Sequence, residues 1–289
     1  MRTSTRRALP AVLVSALFLT ACGSQTADSP GGGGRNPSAV SDSPSLPGDP
    51  ADLEKDGVRI TGMSPSLDFE VTNPETEPFT YTITFDVLPG SGGVMANMDE
   101  IVPSVGAGQT VKRTLSMDSM RPHDTGRMRI SQVRRVPSDE VPVNSGPCPS
   151  SGVRVTADDG DAAMGLRVVG LHLVNCGTRG YNLNGYPLIG LLDEERESVS
   201  GIEILNGGGG ISTGTGTEEA PQPLTLEPGE AASATLVWRN TTGAGTAVNA
   251  PYVRVRAKSG AQPVIVTPEL DLGTTGKLGV GPWKKDPAR

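Results

Sequence analysis

Five of the eight methionines, Met95, Met98, Met117, Met120 and Met128, fall in one short stretch, and His123, one of two histidines, lies among them. A thioether is a soft ligand suited to Cu(I), and an imidazole extends such a donor set. Methionine is also the side chain that best fills an irregular core, and a chain with 3% aromatic residues needs filler. Both expectations stand here, a Cu(I) site and a packed core.

A second chemistry centres on Cys22. Arg2, Arg6 and Arg7 form a basic leader, residues 8–19 a nearly uncharged apolar run, and Thr20 and Ala21 small residues at a cleavage point. This is the layout of an export signal, and the run is too short for the roughly 20 apolar residues of a membrane span. Leu19, Thr20, Ala21 and Cys22 together resemble the lipobox of bacterial lipoproteins. The resemblance implies cleavage before Cys22, a diacylglycerol on its thiol, further acylation such as palmitate, and a chain anchored on the outer face of the cytoplasmic membrane. Two or more acyl chains make such an anchor stable, since each buried methylene adds about 0.8 kcal/mol.

With Cys22 acylated, Cys148 and Cys176 remain, and in an oxidising compartment they are expected to form one disulfide. In the chain-entropy account, closing that loop restrains the unfolded chain by roughly 3.5 kcal/mol. The other use of two thiols, a metal site, has neither a CxxC spacing nor a nearby histidine pattern to support it.

Other chemistries find little. His123 sits in a turn beside Asp124, and His172 lies mid-strand between Leu171 and Leu173. Neither has the GxSxG or SxxK context of an activated serine. The 32 acidic residues would permit a carboxylate pair, but glycosidase clefts are usually rich in aromatics. The glycines at 207–210 lack the Lys-Ser/Thr of a phosphate loop and read as a flexible loop. A formal charge of −7 without a basic cluster argues against nucleic acid. The expectation is a non-enzyme without a cofactor.

These residues must be held by strands. Residues 79–87 alternate strictly, with Phe79, Tyr81, Ile83, Phe85 and Val87 on one face and Thr80, Thr82, Thr84 and Asp86 on the other. Residues 58–61, 67–72, 110–117 and 127–136 read as further strands, and strand-like runs broken by Gly, Pro and Asn continue beyond Cys148. No stretch carries a helical stripe. The expected organisation is a signal peptide (1–21), a disordered Gly/Ser/Pro tether (22–56), a small β domain (57–137), a linker (138–147) and a second β domain (148–284).

The two halves also resemble each other. Asn73, Thr76 and Phe79 align with Asn175, Thr178 and Tyr181, and later Gly108 aligns with Gly229. The second half carries extra residues between these landmarks, most of them in the glycine-rich segment 206–223. Turn and strand cadence of this kind points to tandem antiparallel sandwiches.

The second half further resembles the domain-of-unknown-function family 4232 of secreted proteins and lipoproteins in high-GC Gram-positive bacteria. Cys148, the LxLVN run ending at Asn175, Gly185-Tyr186-Pro187, Leu226-Glu227-Pro228-Gly229-Glu230 and the strand from Tyr252 to Arg256 carry the likeness. Asn182 stands where the family often has a cysteine, and Cys176 lies a few residues earlier. The family implies an immunoglobulin-like β-sandwich and no established activity; the first half is similar to small immunoglobulin-like domains. The resulting expectation is a lipid-anchored, non-catalytic envelope protein whose partner is an envelope protein or cell-wall ligand, contacted through segment 206–223. Its alternative is Cu(I) handling by the methionine and histidine cluster.

Overall fold

The computed structural model describes residues 49–63, 66–88, 93–117 and 127–287. Cys22, Met120 and His123, with the expected signal peptide and most of the expected tether, lie outside them. The described residues are almost entirely β, in several sheets of which none closes on itself.

The first sandwich contains α1 (Pro50–Leu53), β1 (Glu54–Lys55), β2 (Val58–Gly62), β3 (Ser66–Thr72), β4 (Phe79–Leu88), β5 (Ala96–Val105), β6 (Thr110–Ser116) and β7 (Arg127–Pro137). One sheet has the order β1-β2-β3-β6 and the other β5-β4-β7, all pairs antiparallel. The alternation of β4 dictates its place. Phe79, Tyr81, Ile83, Phe85 and Val87 are all buried, and they meet Ile60, Leu67, Phe69 and Val71 of the opposite sheet in one core. The rings of Phe69 and Phe85 pack tilted at 5.1 Å.

Structure begins earlier than the tether expected over 22–56 allows. The Asp49 carboxylate accepts the Ala51 N–H and caps α1, Leu53 packs on the core, and β1 extends the sheet beside β2. One apolar side chain in a polar run supplied too weak a periodic signal to be seen.

The second sandwich comprises β8 (Val153–Ala157), β9 (Asp161–Ala163), β10 (Leu166–Asn175), β11 (Tyr181–Leu183), β12 (Leu188–Leu192), β13 (Glu203–Asn206) and β14 (Leu224–Leu226). It continues with β15 (Ala231–Arg239), β16 (Val248–Ala250), β17 (Tyr252–Arg256), β18 (Val264–Val266), β19 (Leu270–Gly273), β20 (Lys277–Val280) and β21 (Lys284–Lys285). A large sheet runs β13-β20-β15-β10-β8, with β9 on β10 and β21 on β15; its β13–β20 pair is parallel. Small sheets β11-β14, β12-β17-β18 and β16-β19 supply the other side of a core centred on Leu171, Leu173, Leu236 and Val253. Trp238 and Trp283 are buried there, and each indole N–H finds a backbone carbonyl, of Asp271 and of Ala257. Cys148 and Cys176 are disulfide-bonded, with Cα atoms 5.6 Å apart.

The internal likeness has an atomic basis. Asn73 is fully buried; its Nδ2 donates to the carbonyls of Glu77 and Val105, and its Oδ1 accepts the Glu75 N–H. Asn175 does the same with the carbonyls of Arg179 and Leu226 and the Gly177 N–H. Even the backbone N–H groups match, Asn73 donating to Gln109 and Asn175 to Glu230. Each asparagine thus folds its following turn and staples it to the end of a strand distant in the chain, β5 for Asn73 and β14 for Asn175.

Candidate functional site

Three regions compete as the working surface: the junction between the sandwiches, the glycine-rich segment, and the methionine end.

The junction is built from β7, the strap that follows it, and the hairpin after β12. Val136, Leu192, Tyr252 and Ile265 form a separate buried cluster with Val141 against it. Around this cluster runs a ring of ion pairs. Arg134, only 10% exposed, donates to Glu194 at 2.6 Å and to Glu269 at 2.7 Å, and its guanidinium lies 5.5 Å from the Tyr252 ring centre. Burial opposes its charge, but Glu269 and Glu194 outweigh that and raise its pKa further above the arginine range. Arg196 reaches the other way, 2.5 Å from Glu75 and 4.6 Å from the Phe79 ring centre. Glu140, on the segment expected to be a linker, accepts two hydrogen bonds of 2.7 Å from Arg254, and its carbonyl accepts the Ile265 N–H. The strap is therefore part of the joint. Beside it, Pro142, Asn144, Asp158, Asp159, Pro268 and Glu269 line a hollow of about 350 Å³.

The five charged residues in a row at 193–197 look in the sequence like a solvated hairpin, and the turn is a hairpin with Glu194, Glu195 and Glu197 exposed, but it also reaches the other sandwich. Arg196 takes a positive φ of 66° there, and that turn aims its side chain and that of Glu194 into the first sandwich. Charge in a turn gives no sign of a partner distant in the chain.

Segment 206–223 does join β13 to β14, as expected, but it is packed rather than loose. Thr217 is fully buried, and Lys284 both donates to the Gly216 carbonyl and pairs with Glu219 at 2.7 Å. Gly208 is there because nothing larger fits: a Cβ would stand 2.0 Å from Thr217 Oγ1 and 2.6 Å from Val237. At Gly208 the glycine serves close approach, which composition cannot distinguish from flexibility. Backbone N–H groups of Glu218 itself, Gly214, Thr215 and Gly216 hold the Glu218 carboxyl below the ordinary 4.5. Thr213, Glu218, Glu219, Ala220 and Gln222 stay exposed on this shaped loop.

The methionine candidates are spread over the first sandwich's edge strands. Met98 on β5 lies opposite Phe85, and Met128 on β7 opposite Val87. Met128 is 3% exposed within the core, Met98 and Met117 pack partly buried against it, and Met95 is 43% exposed. Met63, which sequence reasoning passed over because it stands apart in the chain, packs against the same core. Among the described residues no group of three or more His, Cys, Asp or Glu could hold a metal. His172 is half-exposed, with Nε2 3.2 Å from Asp158 Oδ2.

Residues 148–284 match the family model described as "Domain of unknown function (DUF4232)". No curated protein and no solved structure matches the chain.

Proposed function

We propose that this chain is a lipid-anchored, non-catalytic protein on the outer side of the cytoplasmic membrane, which presents two rigidly joined sandwiches to an envelope protein or cell-wall ligand. The observation that carries the reading is the junction. A tether between independent domains would leave their faces to move; here a buried apolar cluster and ion pairs from Arg134, Arg196 and Arg254 fix them. A fixed pair of sandwiches is a scaffold on which exposed loops keep one relative geometry, a common basis for recognition. Segment 206–223 is the contact surface we favour, since its exposed residues sit on a loop anchored by Thr217 and Lys284.

Photo-crosslinking in membranes tests this, with the reactive group at Thr213 or Gln222 and the anchor intact. The expected result is one dominant adduct that disappears when the group is moved to Thr114 on the first sandwich. Equal, diffuse labelling from all three positions would sink the binding reading. Cys22→Ser is expected to release the protein from the membrane fraction, and retention there would sink the anchor.

Cu(I) handling is the second reading. What favours it is that Met63, Met98, Met117 and Met128 meet one core, although Met63 is distant from the others in sequence.

A further inference from the structure

Met164 is a methionine that neither sandwich core uses. It is 96% exposed, the most exposed large apolar side chain among the described residues, with Ile101 next at 60%. β9 and β10 form a hairpin in which Ala163 pairs with Leu166, so Met164 and Gly165 are the whole of its turn. Both take a positive φ, 47° and 78°, the backbone of a type I′ turn, where Asn-Gly or Asp-Gly is the usual pair. Methionine gains nothing from that conformation, because a positive φ is uncommon for side chains other than asparagine and aspartate. The turn is held through its backbone, the Gly165 carbonyl accepting the Asn240 N–H at 2.9 Å, and Ala162 and Ala163 beside it are exposed as well. Neither burial nor turn chemistry accounts for a thioether at this tip.

What full exposure adds to a thioether is reactivity toward oxidants. The sulfur lone pair attacks one oxygen of hydrogen peroxide, an S–O bond forms and the O–O bond breaks. The departing hydroxide becomes water with the proton that the transferred oxygen gives up through solvent, so sulfur loses two electrons and peroxide gains them. Oxidant and water must both reach the sulfur, and at Met164 nothing covers it. Met128, 3% exposed inside the first core, has no such access; Met63, Met98 and Met117 are partly covered, and Met95 is 43% exposed. The products differ too. A sulfoxide at the hairpin tip meets water, whereas the same group on Met128 would set a polar oxygen into an apolar core.

We infer that Met164 is an oxidation site of this chain, converted to methionine sulfoxide by peroxide-class oxidants ahead of the core methionines and without loss of the fold. The change turns the apolar tip Ala162-Ala163-Met164 polar and chiral while β9 and β10 keep their pairing. The inference is independent of the envelope-binding and Cu(I) readings, since it draws on no partner, anchor or metal.

The test is timed oxidation by hydrogen peroxide of the full chain carrying Cys22→Ser, with the disulfide intact. The reaction is quenched with free methionine and read residue by residue as sulfoxide-bearing peptides in mass spectrometry. Met164 should react about tenfold or more faster than Met128, with Met95 between them. In urea the rates should converge, because exposure and not neighbouring sequence sets them. Met164→Leu should take up one fast oxygen fewer than the parent. Met164→Asn, which supplies a side chain the turn favours, should also lose that oxygen and melt no lower. Met164 reacting no faster than Met128 in the folded chain, or rates just as widely spread in urea, overturns the assignment. A melting temperature that falls as Met164 alone is oxidised overturns the claim that the fold is spared.

Discussion

The two sandwiches use the same asparagine turn and close it differently. After Asn175 comes Cys176, bonded to Cys148, and the aromatic ring six residues past the asparagine, Tyr181, is covered by Lys258 of its own sandwich, 4.0 Å from the ring centre. After Asn73 comes Pro74 with no such bond, and the equivalent ring, Phe79, is covered by Arg196 from the other sandwich. The second sandwich seals its turn from within; the first lends its turn to the junction. One local device therefore serves as a closed end in one place and as a joint in the other, and the joint is where the first sandwich depends on the second.

The largest effect should come from the asparagines. Asn73→Ala and Asn175→Ala each strand buried carbonyls and an N–H, and each should cost about 4 kcal/mol in chemical denaturation. What separates them is reach. Asn73→Ala loosens the turn bearing Glu75 and Phe79, so hydrogen exchange should also rise in the 193–197 hairpin. Asn175→Ala should leave that hairpin protected. Identical exchange maps for both variants would erase the distinction between joint and closed end.

Next comes the disulfide, which only the second turn has. Cys148→Ser with Cys176→Ser should lower stability by roughly 3.5 kcal/mol, measured against the oxidised parent. The loss should appear in the second sandwich, with the first affected only through the junction. A stability unchanged by this double variant would mean that Asn175 alone holds the turn.

Smaller again is the joint itself. Arg134→Ala leaves Glu194 and Glu269 without their shared cation, but both carboxylates remain substantially exposed, so about 1–2 kcal/mol is expected rather than the full cost of breaking a buried pair. Combined with Arg196→Ala it should split a single calorimetric transition into two. One cooperative transition in the double variant would assign the coupling to Val136, Leu192, Tyr252 and Ile265 instead.

Much of this comparison was legible before any coordinates, and the reason is periodicity. The alternation in β4 is strict because one face of it is buried along its whole length, and the pairing of Asn73 with Asn175 is visible because each does an identical job within its own short turn. What stayed hidden was non-local. β5 was not read as a strand because its burial alternates while its residue types do not: Glu100 stands on the inward side between Met98 and Val102, and Ile101 faces outward on this edge strand. The parallel β13–β20 pair and the junction ion pairs join residues far apart in the chain, and Met63 joins the other methionines only through strand register. The glycines of segment 206–223 announced a loop but not its packing, because the residue that requires a glycine at 208, Thr217, lies downstream within the same polar run.

The smallest effect concerns pH and again divides the two sandwiches. Glu230, whose backbone carbonyl accepts the Asn175 N–H, has its carboxyl held below the ordinary 4.5 by a hydrogen bond from Lys285 and by the Glu227 N–H, and Glu218 is depressed by loop N–H groups. A carboxyl lowered in the folded state stabilises that state above its unfolded pKa, and the stabilisation is lost as pH falls from about 4.5 through the lower folded value. Both groups belong to the second sandwich, so acid should loosen the 206–230 region there before it touches the turn at Asn73. Lys285→Ala removes the main cause at Glu230 and should flatten the dependence of hydrogen exchange at residues 227–230 between pH 5 and pH 3. If the parent and Lys285→Ala follow the same curve, the lysine contributes nothing to the closed end, and its sealing rests on the asparagine, the disulfide and Lys258 alone.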